Sequence, residues 1–489
     1  MPADITIRNA RIIDGAGGPG FAGDVAIADG LISSVGEAES GRSEIDATGM
    51  VLSPGFVDTH SHDDGAFLRY PGMEFKLAQG VTTVVSGNCG FSAAPARPGS
   101  GPPAGGALVG MADWTDLAGY FAACEARKPA INNIMLVGHN TVRALAMGNE
   151  RREPTDAELD DMRSLVREAM EQGACGFSTG LIYEPGRYSE TPEVLALATE
   201  AAAFGGIYAT HMRNEGERLL EAVEETLAIG SGSGCPVHIS HHKSAGRANW
   251  GKVKESLARV DRAVAEGQSV TLDVYPYTAG SGPMFQYFNL DAISLELAQA
   301  IRIAACPDHR DWEGRMLADI AKAEGLSLED AVRGAITGPG GHETICIQFT
   351  IDEADVATNL RHRLMMVGSD GIPNLSGSPH PRLFGTFPRI LARYVREQRV
   401  LTLEDAVHRM TQMSCERFGI ANRGLVERGY VADLVLFDPE TVEDLATYDN
   451  PKTEPKGISH VFVAGTAAYE NGIHTGAGSG QMLRYLRPQ

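Results

Sequence analysis

The chain is predicted to be an α/β protein built on a (β/α)8 barrel. From residue 56 onward, short apolar runs alternate with helical stretches. The runs are apolar at successive positions, as parallel strands covered on both faces must be. Eight such runs can be traced, and six of them stop at His, Cys or Asp, at the strand ends where a barrel carries its chemistry.

The elements follow in order. Residues 3–55 read as short strands with Gly and Asp turns. Ala28-Asp29-Gly30 lies between Val25–Ile27 and Leu31-Ile32 and signals a hairpin. The Gly-rich turn at Asp14–Gly18 opens no helix, which argues against a nucleotide loop. The barrel runs are Val57–His62, Val81–Val85, Ile131–Val137, Cys175–Leu181, Ile207–His211, Pro236–His241, Val270–Val274 and Met365–Asp370. Helices are expected near Trp114–Arg127, Thr155–Gln172, Thr191–Phe204, Glu215–Ile229 and Lys252–Glu266, with loops over residues 97–110 and Gly230–Gly234. Residues 283–345 are too long for one crossover and read as an α-rich insert, with helices at Leu295–Ile303 and Trp312–Glu324. A Pro-rich loop follows Asp370, then helices near Leu391–Glu397 and Leu403–Phe418. Strands return at Val431–Phe437 and His460–Ala464. The expected domains are a β-sandwich from residues 1–55 plus 420–489, a barrel over 56–419, and the insert within it.

Composition sets limits. The chain has 489 residues, and barrels of that order fold as one large domain with appendages. The 43% apolar content suffices for a large core and excludes a disordered chain. A net charge of −21 argues against nucleic acid and anionic membranes as partners. No signal peptide and no membrane span is read, and seven scattered cysteines make no disulfide framework, so a cytoplasmic location is expected.

The strand-end residues are His60 and His62, Cys89, His139, His211, His241 and Asp370. His60 and His62 are two apart and face one side of a strand, a ready pair of metal ligands. Thiolate plus imidazole is a zinc set rather than a magnesium set. Asp370, on the strand beside strand one, is placed to move protons at a reacting centre.

The Pro54–Asp64 stretch P-G-F-V-D-T-H-S-H-D-D, His211, His241 and Ser369-Asp370-Gly371 resemble the amidohydrolase superfamily, metal-dependent hydrolases on a (β/α)8 barrel. S-G-N-C-G-F-S at 86–92, G-F-S-T-G-L-I-Y at 176–183, H-M-R-N-E at 211–215, S-H-H-K at 240–243 and P-H-P-R-L-F-G-T-F-P-R at 379–389 resemble the D-aminoacylases within it. Many amidohydrolases carry a bridging lysine on strand four. Here that strand has none, and the resemblance implies that Cys89 takes its place. It implies one tight zinc site on Cys89, His211 and His241, with a second, weaker metal on His60, His62, Cys89 and Asp370. It also implies hydrolysis of small N-acyl-D-amino acids. Asp370 is then general base and acid, and Tyr183 donates to the scissile carbonyl oxygen. Lys243, Tyr275 and Arg382 clamp the α-carboxylate, assisted by Ser281. Arg213, Glu184, His139 and His242 are supporting candidates. An amidohydrolase acting on a cyclic amide, as dihydropyrimidinases and hydantoinases do, is the alternative. A barrel kept only as a scaffold is a third reading, against which the complete ligand set speaks.

Overall fold

The computed structural model describes residues 3–97 and 113–485. Eight parallel strands form the barrel: β1 (Phe56–Asp58), β2 (Val81–Ser86), β3 (Asn132–Gly138), β4 (Gly176–Gly180), β5 (Ile207–His211), β6 (Val237–Ile239), β7 (Val270–Val274) and β8 (Met365–Val367). They pair in sequence order from β1 to β8. The circle closes where Thr59 N donates to Val367 O (3.4 Å) and Asp370 N donates to His60 O (2.7 Å). All eight expected runs are strands. β1 and β8 end earlier than the apolar runs suggest, because His60–His62 and Ser369-Asp370 leave the ladder to form the rim.

A buried ion cluster locks this closure. Asp58 Oδ1 accepts from the backbone N–H groups of Ser369 (2.7 Å) and His60 (3.3 Å). Its Oδ2 accepts from Lys76 Nζ at 2.6 Å and from the Ser369 hydroxyl at 2.5 Å. Lys76 Nζ also lies 3.1 Å from Asp63 Oδ2, and all three charged side chains are buried. With two carboxylates on one ammonium, burial and the neighbouring Asp58 outweigh Lys76 and push Asp63 up to about 6.

The ends of the chain build one nine-stranded sheet, in which the antiparallel strand Leu434–Phe437 pairs with Val51–Pro54. The sheet folds over: Ala432 N donates to Gly30 O, and Ile32 N donates to Tyr430 O, across strands that are not neighbours in its order. Residues alternate between its two apolar faces. Leu434 and Leu436 join the sheet's own core with Ile7, Val25 and Phe462, whereas Val435 and Phe437 join the barrel core. In the predicted hairpin, Ala28 pairs with Leu31, and Asp29 and Gly30 both have positive φ, as a primed turn requires.

Three expectations change. The insert is not purely helical: Ile301–Ala305 is a strand of a three-stranded sheet with Gly280–Pro283 and Ile345–Gln348. Alternating, buried Ile301 and Ile303 follow a strand period of two, and pairing with Ile345–Gln348 overrides a helix there. The Gly230–Gly234 stretch is not a loop. Helix Leu219–Ser233 runs through it and stops only at left-handed Gly234. A side chain at Gly230 would meet Val237 at 2.1 Å, so Gly230 serves close packing on β6. The third concerns the segment after Asp370: its Pro-rich stretch turns helical at Arg382, ahead of the expected helix at Leu391. The loop expected over residues 97–110 lies almost wholly outside the described residues. Among the described residues no helix is long and apolar enough to cross a membrane.

Removing one partner of a buried ion pair leaves the others uncompensated, at about 3–5 kcal/mol. Lys76→Met is therefore expected to lower unfolding free energy in urea by that amount, whereas the exposed Lys456→Met, which breaks the Lys456–Glu443 surface pair, shifts it by less than about 1 kcal/mol.

Candidate metal centre and substrate pocket

Cys89 stands at the centre of the rim. Its sulfur lies 3.3 Å from His60 Nε2, 3.4 Å from His241 Nε2 and 3.7 Å from His211 Nδ1. With Zn–S near 2.3 Å and Zn–N near 2.0–2.1 Å, tetrahedral ligands of one zinc have S···N separations of about 3.5–3.6 Å. The observed distances fall around that value, so the donor set fits zinc. His60, Cys89 and His241 form one compact donor group, and His60, His62 and Asp370 another. His60 therefore stands as close to the sulfur as the two histidines expected at the tight site.

Burial raises the pKa of a thiol, but His60, His241 and His211 overcome it and hold Cys89 well below its ordinary value, as a thiolate. Burial pushes the other six cysteines upward, so Cys89 stands apart from them. Cys89, His241 and Asp370 all adopt positive φ, at 54°, 35° and 50°. Such backbone strain persists only where surrounding contacts enforce it. A side chain at Gly180 would meet Cys89 O at 2.1 Å. β4 thus clears space for the Cys89 turn instead of supplying a ligand.

Outer nitrogens are held by acids. His60 Nδ1 lies 3.4 Å from Asp273 Oδ2, which also takes His238 Nε2 at 2.8 Å. Glu215 sits 3.3 Å from His211 Nε2, 3.0 Å from His241 Nδ1 and 2.6 Å from Lys243 Nζ. Neither acid was assigned a role from the sequence. A charged residue inside the apolar run Val270–Val274 was the available signal for Asp273, and the H-M-R-N-E motif already contained Glu215.

Asp370 lies between two kinds of partner. His62 Nε2 is 3.1 Å and His60 Nε2 3.6 Å from Oδ1, while Arg382 Nη1 is 2.9 Å from Oδ2. Burial favours its protonated form, but Arg382 and the histidines win and hold it well below the usual carboxylate range. Burial opposes charge on His62, yet Asp370 and Cys89 raise it to about 9. Arg382 opens its helix, is fully buried, stacks 4.5 Å over the Tyr275 ring and donates to the backbone oxygen of Ser281 (3.2 Å). Arg382 Nε and the Tyr275 hydroxyl are buried without a hydrogen-bond partner. Tyr183 packs edge-on against His211 at 4.7 Å, and its hydroxyl meets that of Tyr287, from the insert, at 3.0 Å.

The supporting candidates fall elsewhere. His139 bonds Glu193 (2.7 Å), Arg213 pairs with Glu225, and Glu184 receives Tyr188 and Arg151. His242 points outward to Asn359 and Ser256. A cavity of about 740 Å3 opens at the opposite mouth of the barrel, lined by Ile207, Ser269, Thr271 and Arg417, away from the ligand residues.

A ring of candidate metal donors at the C-terminal mouth of a (β/α)8 barrel is the arrangement expected of a metal-dependent barrel of the amidohydrolase type. The amidohydrolase family profile matches residues 43–323 and 291–469, and the chain belongs to that family. N-acyl-D-glutamate deacylase of Alcaligenes xylosoxydans xylosoxydans is 43% identical over 95% of this chain and 93% of its own. The N-acyl-D-glutamate deacylase structure from Bordetella bronchiseptica, complexed with zinc and a phosphonate mimic of the tetrahedral intermediate, is 42% identical. It has a TM-score of 0.92 and covers 99% of this chain and 100% of that one. A D-aminoacylase, whose binuclear centre is described by one-metal activation and second-metal attenuation, is 41% identical with a TM-score of 0.91 and the same coverage. A D-hydantoinase, at 18% identity and a TM-score of 0.61, shares the fold alone.

Burial holds His242 neutral, with its pKa lowered to about 4. A histidine with a depressed folded pKa stabilises the fold above its unfolded pKa of about 6.5, and this stability is lost as pH falls towards 4. Unfolding free energy should lose roughly 3 kcal/mol from this group between those limits. His242→Gln should flatten that part of the pH–stability curve, read by urea titration at each pH.

Proposed function

We propose that this chain hydrolyses the amide bond of N-acyl-D-amino acids, releasing a carboxylate and a free D-amino acid, with zinc held at Cys89, His211 and His241. The observation that carries the reading is the position of Asp370, between the imidazoles of His60 and His62 on one side and the buried guanidinium of Arg382 on the other. Zinc bound at the rim would polarise the scissile carbonyl and lower the pKa of water. The second donor group, His60, His62 and Asp370, is suited to a weaker ion.

The protein's own groups divide the remaining work. Asp370, ionised, accepts the proton of the attacking water and passes it to the leaving nitrogen. The Tyr183 hydroxyl donates to the carbonyl oxygen as charge develops there. Arg382 Nε and the Tyr275 hydroxyl supply donors with no internal partner, which suits an incoming α-carboxylate. Lys243 adds positive charge at the same wall, 5.7 Å over the Tyr275 ring, and Ser281 lends its backbone to Arg382. Seven free cysteines fit action in a reducing compartment such as the cytoplasm.

Zinc-loaded protein should turn over N-acetyl-D-amino acids and leave the L-enantiomers; inactivity across an acidic and apolar D-panel would sink the proposal. Asp370→Asn is expected to lower kcat by about 10²–10⁴. Arg382→Ala should raise KM at least tenfold, about 1.4 kcal/mol of binding. A cyclic-amide hydrolase needs no such clamp, so an unchanged KM would favour that alternative.

A further inference from the structure

Glu215 takes no part in the proton transfers above, yet three groups converge on it. Of the three imidazoles facing Cys89, two present opposite ring atoms to the sulfur: Nδ1 from His211 and Nε2 from His241. Of their remaining nitrogens, His241 Nδ1 lies 3.0 Å from Glu215 Oε1, and His211 Nε2, buried with no other partner, lies 3.3 Å from Oε2. The rings meet edge-to-face, 4.3 Å apart, so one carboxylate spans both. Lys243 Nζ closes the group at 2.6 Å from Oε1; it also lies 2.8 Å from His241 Nδ1 and 2.9 Å from His241 O, and a protonated Nδ1 leaves the ammonium the two oxygens as acceptors. The backbone is fixed too, since Ala245 N donates to Glu215 O at 2.7 Å.

We propose that Glu215 is a positioning residue for the metal site: its carboxylate fixes His211 as the Nε2–H tautomer and His241 as the Nδ1–H tautomer. Each imidazole then presents a bare nitrogen to the ion held with Cys89. The inference rests on the zinc reading of the same site. Acids bonded to the outer nitrogen of ligand histidines orient the ring and raise its basicity. Charge balance points the same way. Thiolate, Glu215, Lys243 and Zn²⁺ sum to +1, and without the carboxylate the buried sum is +2. Glu215 together with His211 and His241 forms a third compact donor group. An ion there would press against the Lys243 ammonium at Oε1, so the carboxylate acts from behind the imidazoles rather than as a ligand.

The test is zinc affinity by competition with a chromophoric chelator, on the full chain and on Glu215→Gln. The Gln variant keeps the shape but can accept from only one imidazole. Its affinity should be 10–100-fold weaker, while cobalt-saturated protein keeps the thiolate-to-metal absorption band of the parent. Equal affinity overturns the proposal, and so does a lost or displaced cobalt band, which makes Glu215 a ligand. If the metal-free Gln variant fails to melt cooperatively, Glu215→Asp, with its charge retained but withdrawn, takes its place and should be weakened less. Equal affinity there also overturns the proposal. In the zinc-loaded parent, nitrogen NMR of labelled histidines should find His211 protonated at Nε2 and His241 at Nδ1, and the reverse pattern rejects the inference. A parent that holds no zinc sinks the zinc reading as well, whereas a parent that holds it beside an equally tight Gln variant sinks this inference alone.

Discussion

A thiolate in a dry barrel mouth is costly unless positive charge surrounds it, and most of the site follows from meeting that demand at Cys89. Three imidazoles point at its sulfur, within 3.7 Å. Each imidazole then needs a partner on its outer nitrogen, and Asp273 and Glu215 serve. Those acids are buried and need partners in turn: His238 gives Asp273 a hydrogen bond, and Lys243 brings counter-charge to Glu215. The chain of compensation ends where it reaches neutral groups, such as the Thr271 hydroxyl beyond His238. Removing any member exposes its neighbour, so the network is cooperative.

The same logic explains the closure of the barrel. β1 and β8 are both short, and their few ladder hydrogen bonds do not fix the rim residues that follow. Asp58 reads the backbone N–H groups of His60 and Ser369 together, so one carboxylate sets the positions of a candidate metal donor and of the residue beside Asp370. Lys76 supports that carboxylate from beneath. The left-handed backbone at Cys89 and Asp370 is a local cost imposed by this framework, of order 1–3 kcal/mol each.

Much of this was legible in the sequence, for physical reasons. Apolar runs bounded by turn residues mark buried parallel strands, so all eight barrel strands could be traced from residues alone. Ligand-type residues at strand ends marked His60, His62, Cys89, His211, His241 and Asp370 as candidates, and strand direction does bring them to one rim. The residues that support them left a weaker trace. Glu215 lies past its strand and Asp273 inside one, and neither spacing nor composition tells which imidazole each meets. Lys243 was marked by the S-H-H-K motif, but its partner Glu215 was not readable. The Ile301–Ala305 strand was hidden because its partner, Ile345–Gln348, lies some forty residues on, and helix propensity speaks only for near neighbours.

The candidate metal donors and the residues proposed to meet the substrate fall in different parts of the fold. The donors and Asp370 stand at the ends of barrel strands, packed against buried backbone that tolerates little change. Tyr287 and Gln286 come from the insert and touch the β4 loop at Tyr183 and Glu184, and Ser281 lies on the strand that leads into it. Arg382 joins the two parts, bonding Asp370 on the barrel side and Ser281 on the insert side. An insert with its own apolar core, around Trp312, Leu317 and Ile320, can change its loops without disturbing the ion cluster beneath. On the proposed function, the barrel would therefore carry the chemistry of the reacting bond, and the insert would shape the wall that meets the rest of the substrate.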